Sequence, residues 1–399
     1  MSFLTRQKIF RLKIKSETLE KLVFRLDVEN KGSVNTLYIP ANISGYYMLW
    51  SLSKEQKITS EDVFVEEVTT FKACLFWLRS FLTFSKYSQL SFPSCRIFFY
   101  GSRKDKKAFF RLNRFMSNSR MPFDGKKFLY IKELFEGWKN LSSLENKGKI
   151  TINSKIAIVV HCYYQDTWDE ISHLLLRLNF DFDLFITTVK KNKDFEQDVL
   201  KNFPSARLYV MENKGRDVLP FLCLLELGIF DDYDYLCKIH GKKSARRHYH
   251  PFEGILWRRW IFFDLLGFSD IATRIINKFE QNPSIGMIGS GRFRRYKKYS
   301  FFKKRSKVYK RVVDLARRID FPVEELDLDF FNGTMFWMRP KCLEPLRNIH
   351  LTGEFEEECN LEDGALEHAV ERFFPLSVQR AGFSLESVDC VAEYDQLSQ

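Results

Sequence analysis

The sequence predicts an α/β protein. An open, mostly parallel sheet flanked by helices is expected over residues 151–399, preceded by a smaller α+β accessory domain over residues 1–150. Three observations predict this. Ile156-Ala157-Ile158-Val159-Val160 is a continuous apolar run of strand length, the mark of a strand covered on both faces. Strand-like runs then alternate with helical patterns, which indicates parallel βαβ units. A polar segment from Lys139 to Lys149 reads as a linker between this texture and the weaker one before it.

Ahead of the linker, strand-like pieces stand at Leu22–Val28, Thr36–Ile39 and Arg96–Tyr100. Helical patterns stand near Ser60–Phe84 and Asp105–Met116, and together these pieces name no fold. After the first buried strand, Trp168, Ile171, Leu175 and Leu178 share one helical face. Asp183–Thr188 and Arg207–Val210 are the next strands. Asp217 stands where it can cap a helix with Val218, Phe221, Leu222 and Leu225 inward, and Pro220 is tolerated in a first turn. Tyr235–His240 follows as a strand. Ile271, Ile275 and Phe279 stripe a helix that must stop before Pro283, and Ile285–Gly289 returns as a strand. Phe331–Arg339 reads as a buried strand entered through Asn332-Gly333. Glu362-Asp363 precede a helix with Leu366, Ala369, Val370 and Phe373 inward.

Composition narrows the function classes. The 399 residues carry 63 Lys+Arg and 51 Asp+Glu, a formal charge of +12, and 45% are hydrophobic. That much apolar material excludes a disordered chain. No apolar run reaches the ~18–20 residues of a membrane span; Arg79 and Arg258-Arg259 interrupt the two greasiest stretches. The basic N-terminus lacks the apolar core of a signal peptide, so a cytoplasmic protein is expected. The eight cysteines form no Cys-x-x-Cys pair and read as reduced core thiols. The 40 phenylalanines have two explanations, an aromatic ligand or membrane surface and simple codon bias.

Charge is polarised along the chain. Ser290–Arg311 holds eleven basic residues and no acidic one, interleaved with aromatics such as Phe293, Tyr296 and Tyr309. From Thr352 onward there are twelve acidic residues and two basic ones. The basic stretch has three readings: a nucleic-acid track, an anchor on an anionic membrane surface, and a solvated face. Nothing resembles an aromatic RNA-binding sheet, and no nucleic-acid partner is expected.

In open α/β sheets ligands sit at the carboxyl ends of the strands. Glu212-Asn213-Lys214-Gly215-Arg216-Asp217 joins a strand end to a helix start, where backbone N–H groups can meet an anion; a plain capped turn is the other reading. In Lys238-Ile239-His240-Gly241-Lys242-Lys243-Ser244, Lys238 and His240 face the same side of a strand. An ammonium inside an apolar strand is costly without a partner. This positive field suits a phosphate or diphosphate, against a solvated basic loop. Glu362-Asp363 reads either as a helix-start pair stabilised by the dipole or as a catalytic carboxylate kept ionised for general-base work. His248-Tyr249-His250 lacks a third metal ligand, and Asp231-Asp232-Tyr233-Asp234 reads as a helix-exit loop. No Walker loop, Gly-x-Ser-x-Gly elbow or Gly-x-Gly-x-x-Gly fingerprint occurs.

Five ordered blocks, Val159–Tyr164, Glu212–Phe221, Lys238–Ser244, Phe331–Trp337 and Glu362–Arg372, resemble the rhamnan synthesis protein F family of bacterial polysaccharide assembly. The resemblance covers roughly residues 155–383 and implies a glycosyltransferase with a GT-A-like (Rossmann-like) sheet. It implies a nucleotide-diphosphate sugar donor, rhamnose by the family's name, and a lipid-linked or polysaccharide acceptor. It further implies a peripheral position on the inner face of the membrane. On that comparison His161, Tyr163, Tyr164 and Thr187 hold the nucleotide, and Asn213, Gly215, Arg216 and Asp217 bound the cleft. Asp363 is the base, and Glu362 is its understudy; the residues alone let the Phe331–Arg339 strand, with Asn332, either floor a pocket or serve as core. One departure stands out: GT-A enzymes commonly carry an Asp-x-Asp metal motif after the fourth strand, and here that place reads Lys238-x-His240-x-Lys242. The expectation is therefore that Lys238, Lys242 and Lys243, helped by His240, stabilise the departing diphosphate, with no metal cofactor and Mg²⁺ or Mn²⁺ not favoured. A non-catalytic scaffold of the same fold in a membrane-associated assembly complex is the alternative.

Overall fold

A computed structural model describes residues 9–14, 23–30, 33–40, 47–51, 57–60, 63–69, 87–91, 95–100, 107, 109–110, 112–113, 148–241, 243, 251–267, 269–297, 307–358 and 364–389. The chain divides into two units, Met1–Ser142 with Ser244–Trp257, and Ser143–Lys243 with Arg258–Gln399. The division falls inside the polar segment read as a linker, at 142/143, and the second unit is interrupted in sequence by a short piece of the first.

The first unit is built from strands β1 (Ile9–Ile14), β2 (Val23–Asn30), β3 (Ser33–Pro40), β4 (Tyr47–Ser51), β5 (Lys57–Thr59), β6 (Val63–Glu67), β7 (Tyr87–Ser91) and β8 (Cys95–Tyr100). They form two antiparallel sheets, ordered β6-β1-β4-β8-β7 and β3-β2-β5. The helix expected from Ser60 is corrected at its start. Val63-Phe64-Val65 places Val63 inside and Phe64 outside, and this two-residue period fits a strand beside β1. The remainder of that helix, 70–84, lies outside the described residues. Asn113, on a helical segment with buried Phe109, accepts from Tyr38 N (2.9 Å) and donates to Tyr38 O (2.9 Å). One amide side chain thereby satisfies both backbone groups of a β3 residue.

The second unit holds strands β9 (Ile156–His161), β10 (Asp183–Thr188), β11 (Arg207–Val210), β12 (Tyr235–His240), β13 (Ile285–Ser290), β14 (Arg294–Lys297), β15 (Leu328–Phe331), β16 (Phe336–Met338) and β17 (Ser384–Val388). Its longer helices are α1 (Trp168–Leu175), α2 (Lys193–Asn202), α3 (Val218–Glu226), α4 (Pro251–Leu266, in this unit from Arg258), α5 (Ser269–Gln281), α6 (Lys307–Arg318) and α7 (Leu366–Arg380). Seven strands make one sheet, ordered β11-β10-β9-β12-β16-β13-β17. Every neighbouring pair is parallel except the two made by β16. The chain runs outward from β9 through β10 to β11 and then resumes on the other side of β9 with β12. The order therefore reverses between β9 and β12, where open α/β sheets bind ligands.

The strands are apolar on both faces because helices cover both. Ala157, Val159, Phe185, Leu236 and Met338 share one cluster with α3, α6 and α7. On the other face Trp337 donates its indole N–H to Leu265 O (3.0 Å) on α4, and Tyr235 stacks on Phe279 of α5 (5.1 Å). Burying an aromatic or aliphatic side chain here stabilises the fold by about 1.5–3 kcal/mol. Trp168 is buried against Phe195 and Phe203, whereas Leu178 lies beyond the end of α1 and is half-buried. Arg258 and Arg259, which merely broke an apolar stretch in the sequence, are buried and both hold Glu170 (2.7 and 2.5 Å). Burial raises the Glu170 pKa, but the two guanidiniums outweigh it and bring it down to about 2. Cys162, Cys237 and Cys342 are buried free thiols whose pKa burial raises. Among the described residues no helix is long and apolar enough to cross a membrane.

Candidate functional site

Polar side chains line up at the carboxyl ends of the central strands. In register, Thr187 of β10 stands beside His161 of β9, and His161 beside His240 of β12. Two residues earlier on the same side of β12 comes Lys238. These positions close strands that are otherwise apolar, yet Lys238 is 1% exposed, His240 3% and His161 6%. Buried polar side chains must find partners inside the protein.

Asp217 is the common partner. Its carboxylate takes Lys238 Nζ at 2.7 Å and the Thr334 hydroxyl, and lies 3.8 Å from His240 Nε2. Lys238 Nζ also donates to Thr334 O (3.0 Å) and stands over the Phe221 ring. His240 Nε2 is 2.7 Å from Gly333 O, so that nitrogen carries the proton. The expectation that Asp217 caps α3 is corrected: it occupies the N-cap position but its side chain caps nothing. It turns toward the sheet because an ammonium buried in β12 needs a counter-ion. The expectation of Lys238 and His240 as direct diphosphate contacts needs the matching amendment. The charge of Lys238 is already balanced by Asp217, and both side chains are inside.

Two left-handed turns bring these groups together. Gly215 and Arg216 have φ of 60° and 56°, and Gly333 and Thr334 have φ of 111° and 52°. A Cβ on Gly215 would stand 2.5 Å from Leu219 Cβ and from the Phe355 ring, so glycine is required twice over. The second turn links β15 to β16 and contains Asn332, half-buried, whose N–H donates to Phe293 O (3.0 Å). Backbone strain held in place by packing is the usual companion of a functional site.

Helix α7 closes one side. Glu371 accepts from Gly333 N (2.8 Å), and His368 Nε2 accepts from the Arg216 guanidinium (3.1 Å). Glu367 and Glu358 each lie 3.5 Å from Arg216 Nε. Burial raises the Glu367 pKa; Arg216 pulls it down, while Glu358 and Glu356 push it up. Lys214 pairs with Glu357 (3.2 Å) and Arg311 with Glu356 (2.6 Å), so an acidic strap is clipped along the rim.

On the β9–β10 side, His161 Nδ1 is 2.9 Å from Thr187 Oγ1. Its pKa falls to about 4, chiefly through burial, with Lys238 adding and Asp217 opposing, so the ring is neutral at neutral pH. Tyr163 and Tyr164 meet edge to face at 4.8 Å, and Tyr163 is exposed. Lys243 bonds Asp166 and lies 5.5 Å over the Tyr164 ring. Gly241 lets Thr167 pack against the end of β12, since a Cβ there would meet Thr167 Oγ1 at 1.9 Å. Asn213 is exposed on the rim.

The structure thus gathers Thr187, His161, Lys238, His240, Gly215, Arg216 and Asp217 at one strand-end mouth, with Tyr163, Tyr164, Lys243, Asn213 and Asn332 placed as above. Glu362, Asp363, Lys242 and the His248–His250 pair lie outside the described residues. Thr334, Glu367, His368 and Glu371 were missed. The signal for the last three was a polar inner edge on the helix, Glu367-His368 and Glu371, beside the apolar positions. No group of three or more His, Cys, Asp or Glu with metal-ligand geometry occurs among the described residues. Much of the basic stretch 290–311 is engaged: Arg294 forks onto Asp329 (2.7 and 2.6 Å), and Arg292 stacks on Trp260 (4.0 Å). Residues 298–306 lie outside the described residues.

Comparison with known proteins adds a lineage. The family model described as "Rhamnan synthesis protein F" matches residues 138–382. The "Uncharacterized protein WxcX" of Xanthomonas campestris pv. campestris, from strains B100 and ATCC 33913, is 28% identical over 241 residues, 58% of this chain. The chain spans about a third of those relatives' length, 32%. Solved structures are similar only distantly. 4-diphosphocytidyl-2C-methyl-D-erythritol synthase from Anaerococcus prevotii has a TM-score of 0.29 at 10% identity, over 62% of this chain and 97% of its own. Glucosyl-3-phosphoglycerate synthase from Mycobacterium tuberculosis, in complex with UDP, has a TM-score of 0.25 at 14% identity, over 58% and 82%.

Proposed function

We propose that this chain, which belongs to the rhamnan synthesis protein F family, is a glycosyltransferase that moves a sugar from a nucleotide-diphosphate donor to a growing bacterial surface polysaccharide. The observation that carries the reading is the buried polar row Thr187–His161–His240, with Lys238 and Asp217 beneath it, at the point where strand order reverses. The family's name supports rhamnose as the sugar, and the reading takes a lipid-linked or polysaccharide acceptor at the inner face of the membrane.

In this reading the nucleoside end of the donor rests against Tyr163, Tyr164 and Thr187, and the diphosphate faces the turn Asn213–Asp217. The buried Lys238 is a positioning residue: through Asp217 and Thr334 it fixes the two left-handed turns that shape the mouth. Charge for the departing diphosphate is assigned to Lys242 and to Lys243, whose exposed pair with Asp166 can open. Donors fixed in place before the reaction act where charge develops in the transition state. Asp363, with Glu362 beside it, removes the acceptor's proton as the sugar becomes oxocarbenium-like.

Isothermal titration with UDP-, GDP- and dTDP-sugars, followed by turnover with a lipid-linked acceptor, tests this. One donor should bind, and Asp363→Asn should lower kcat while leaving donor affinity nearly unchanged. Wild-type turnover in that variant removes Asp363 from the role. Turnover lost in EDTA and restored by Mn²⁺ or Mg²⁺ would assign the diphosphate's counter-charge to an ion. A chain that binds no nucleotide sugar at all is the scaffold of an assembly complex, not its transferase.

A further inference from the structure

At the far end of the same sheet a groove of about 470 Å³ opens between α6, α7 and the single helical turn Glu344–Arg347. Phe383 immediately precedes β17, and Lys341 follows β16, which runs against its neighbours. The groove therefore lies at the end opposite the mouth. The 15 residues of α7 connect the two, a span of roughly 22 Å at ~1.5 Å per residue.

Five ionisable side chains line it: Arg318, which is paired with Glu354 (2.7 Å), and four more, Asp320, Lys341, Glu344 and Arg380. Among the described residues none of the four forms an ion pair, although two are basic and two acidic. Arg380 gives only its Nε–H to Ile319 O (2.7 Å), and Lys341 lies over the Phe383 ring at 5.4 Å. Asn348 adds an amide with both donor and acceptor.

Asp320 is set at the groove by the way α6 ends. Phe321 N bonds Ala316 O (2.9 Å) and Asp320 N bonds Arg317 O (3.1 Å), the paired bonds of a Schellman ending, with Asp320 at φ 52°. Glycine is favoured there, and the helix dipole disfavours a negative charge at a carboxyl end. Aspartate is among the few non-glycine residues that tolerate this conformation, and the turn holds its exposed carboxylate at the groove.

The lining selects the ligand class. With Arg318 neutralised by Glu354, two unpaired carboxylates repel an anion, two unpaired cations repel a metal ion, and the charged rim rejects a purely apolar molecule. Balanced donors and acceptors around an aromatic ring suit a polyol, whose hydroxyls both donate and accept and whose C–H face packs on Phe383. We propose that this groove is a second saccharide-binding site, which holds a segment of the polysaccharide away from the mouth. The proposal rests on the transferase reading only for its choice of sugar.

Titrating the full chain with a rhamnose tetrasaccharide, observed by NMR, tests it. Resonances of Phe383 and Asn348 should shift, and an excess of nucleotide sugar should not displace the ligand. Asp320→Gly should weaken binding by about tenfold or more, the effect of a lost charged hydrogen bond, while its Tm stays level or rises. Glu344→Gln should weaken binding with no change in Tm. Absence of shifts in the groove, equal affinity in both variants, displacement by nucleotide sugar, or a response to inorganic phosphate alone would each overturn the proposal. Nucleotide-sugar binding is followed in the same samples. Its absence beside intact tetrasaccharide binding overturns the transferase reading and leaves the groove standing.

Discussion

The two ends of the seven-stranded sheet handle charge in opposite ways. At the carboxyl ends of β9 and β12, charged and polar groups are drawn inside and matched to one another, Lys238 to Asp217 and His240 to Gly333 O. At the other end, Asp320, Lys341, Glu344 and Arg380 stay in water. Interior pairing fixes geometry at the cost of desolvation, while open charges keep rotamer freedom and contribute little to the fold. A site that must hold turns in place needs the first arrangement. A surface that accommodates a variable chain needs the second.

The largest expected effect breaks the interior end. Lys238→Met leaves the Asp217 carboxylate buried without its counter-ion and should cost about 3–5 kcal/mol in urea unfolding. A cost below about 1 kcal/mol would mean that the pair is not desolvated. Next comes acid. His161 titrates at about 4 in the fold and near 6.5 when unfolded, so the unfolded chain binds the extra proton between those values. Stability is then full above about pH 6.5 and falls as pH drops toward 4, by about 3 kcal/mol in all. Glu170 acts lower: its support is lost as pH falls from the ordinary 4.5 through about 2. His161→Leu should flatten the upper window of a Tm-against-pH curve and leave the lower one.

Gly215→Ala should cost roughly 1–3 kcal/mol, because the new methyl meets Leu219 and Phe355 at a positive φ. Thermal unfolding checks it. The smallest effect belongs to the other end. Arg347 and Asp231 pair at 2.6 Å in the open, and Arg347→Ala should change stability by less than about 1 kcal/mol. A larger loss there would blur the contrast between the two ends.

Strands β9, β10, β12 and β13 were legible because each is a short apolar run between polar punctuation, and they fall where that pattern places them. Strands β1, β4, β5, β7, β14 and β17 were not read, and β6 lay in a segment whose apolar residues satisfy a helical period as well as the alternation of Val63-Phe64-Val65. The mouth was legible in its strand-end members, not in Thr334 or the α7 side chains, and not in their pairing. Lys238 announced that it needed a partner, but Asp217 is 21 positions away and Thr334 is 117 from Asp217. Such contacts follow from sheet order, which no local pattern states. The same holds for Glu170, whose two arginines come from α4. Asp217 was read as a cap because aspartate before an apolar helix ordinarily is one; a buried ammonium is the stronger claimant.

The account turns on the mouth between β9 and β12 receiving a nucleotide sugar, and the ring resonances of His161 and His240 report on it most directly. Saturating the chain with its donor should shift both rings and leave Phe383 unmoved. If a donor that supports turnover leaves both histidine rings where they were, the donor site lies elsewhere and the account fails.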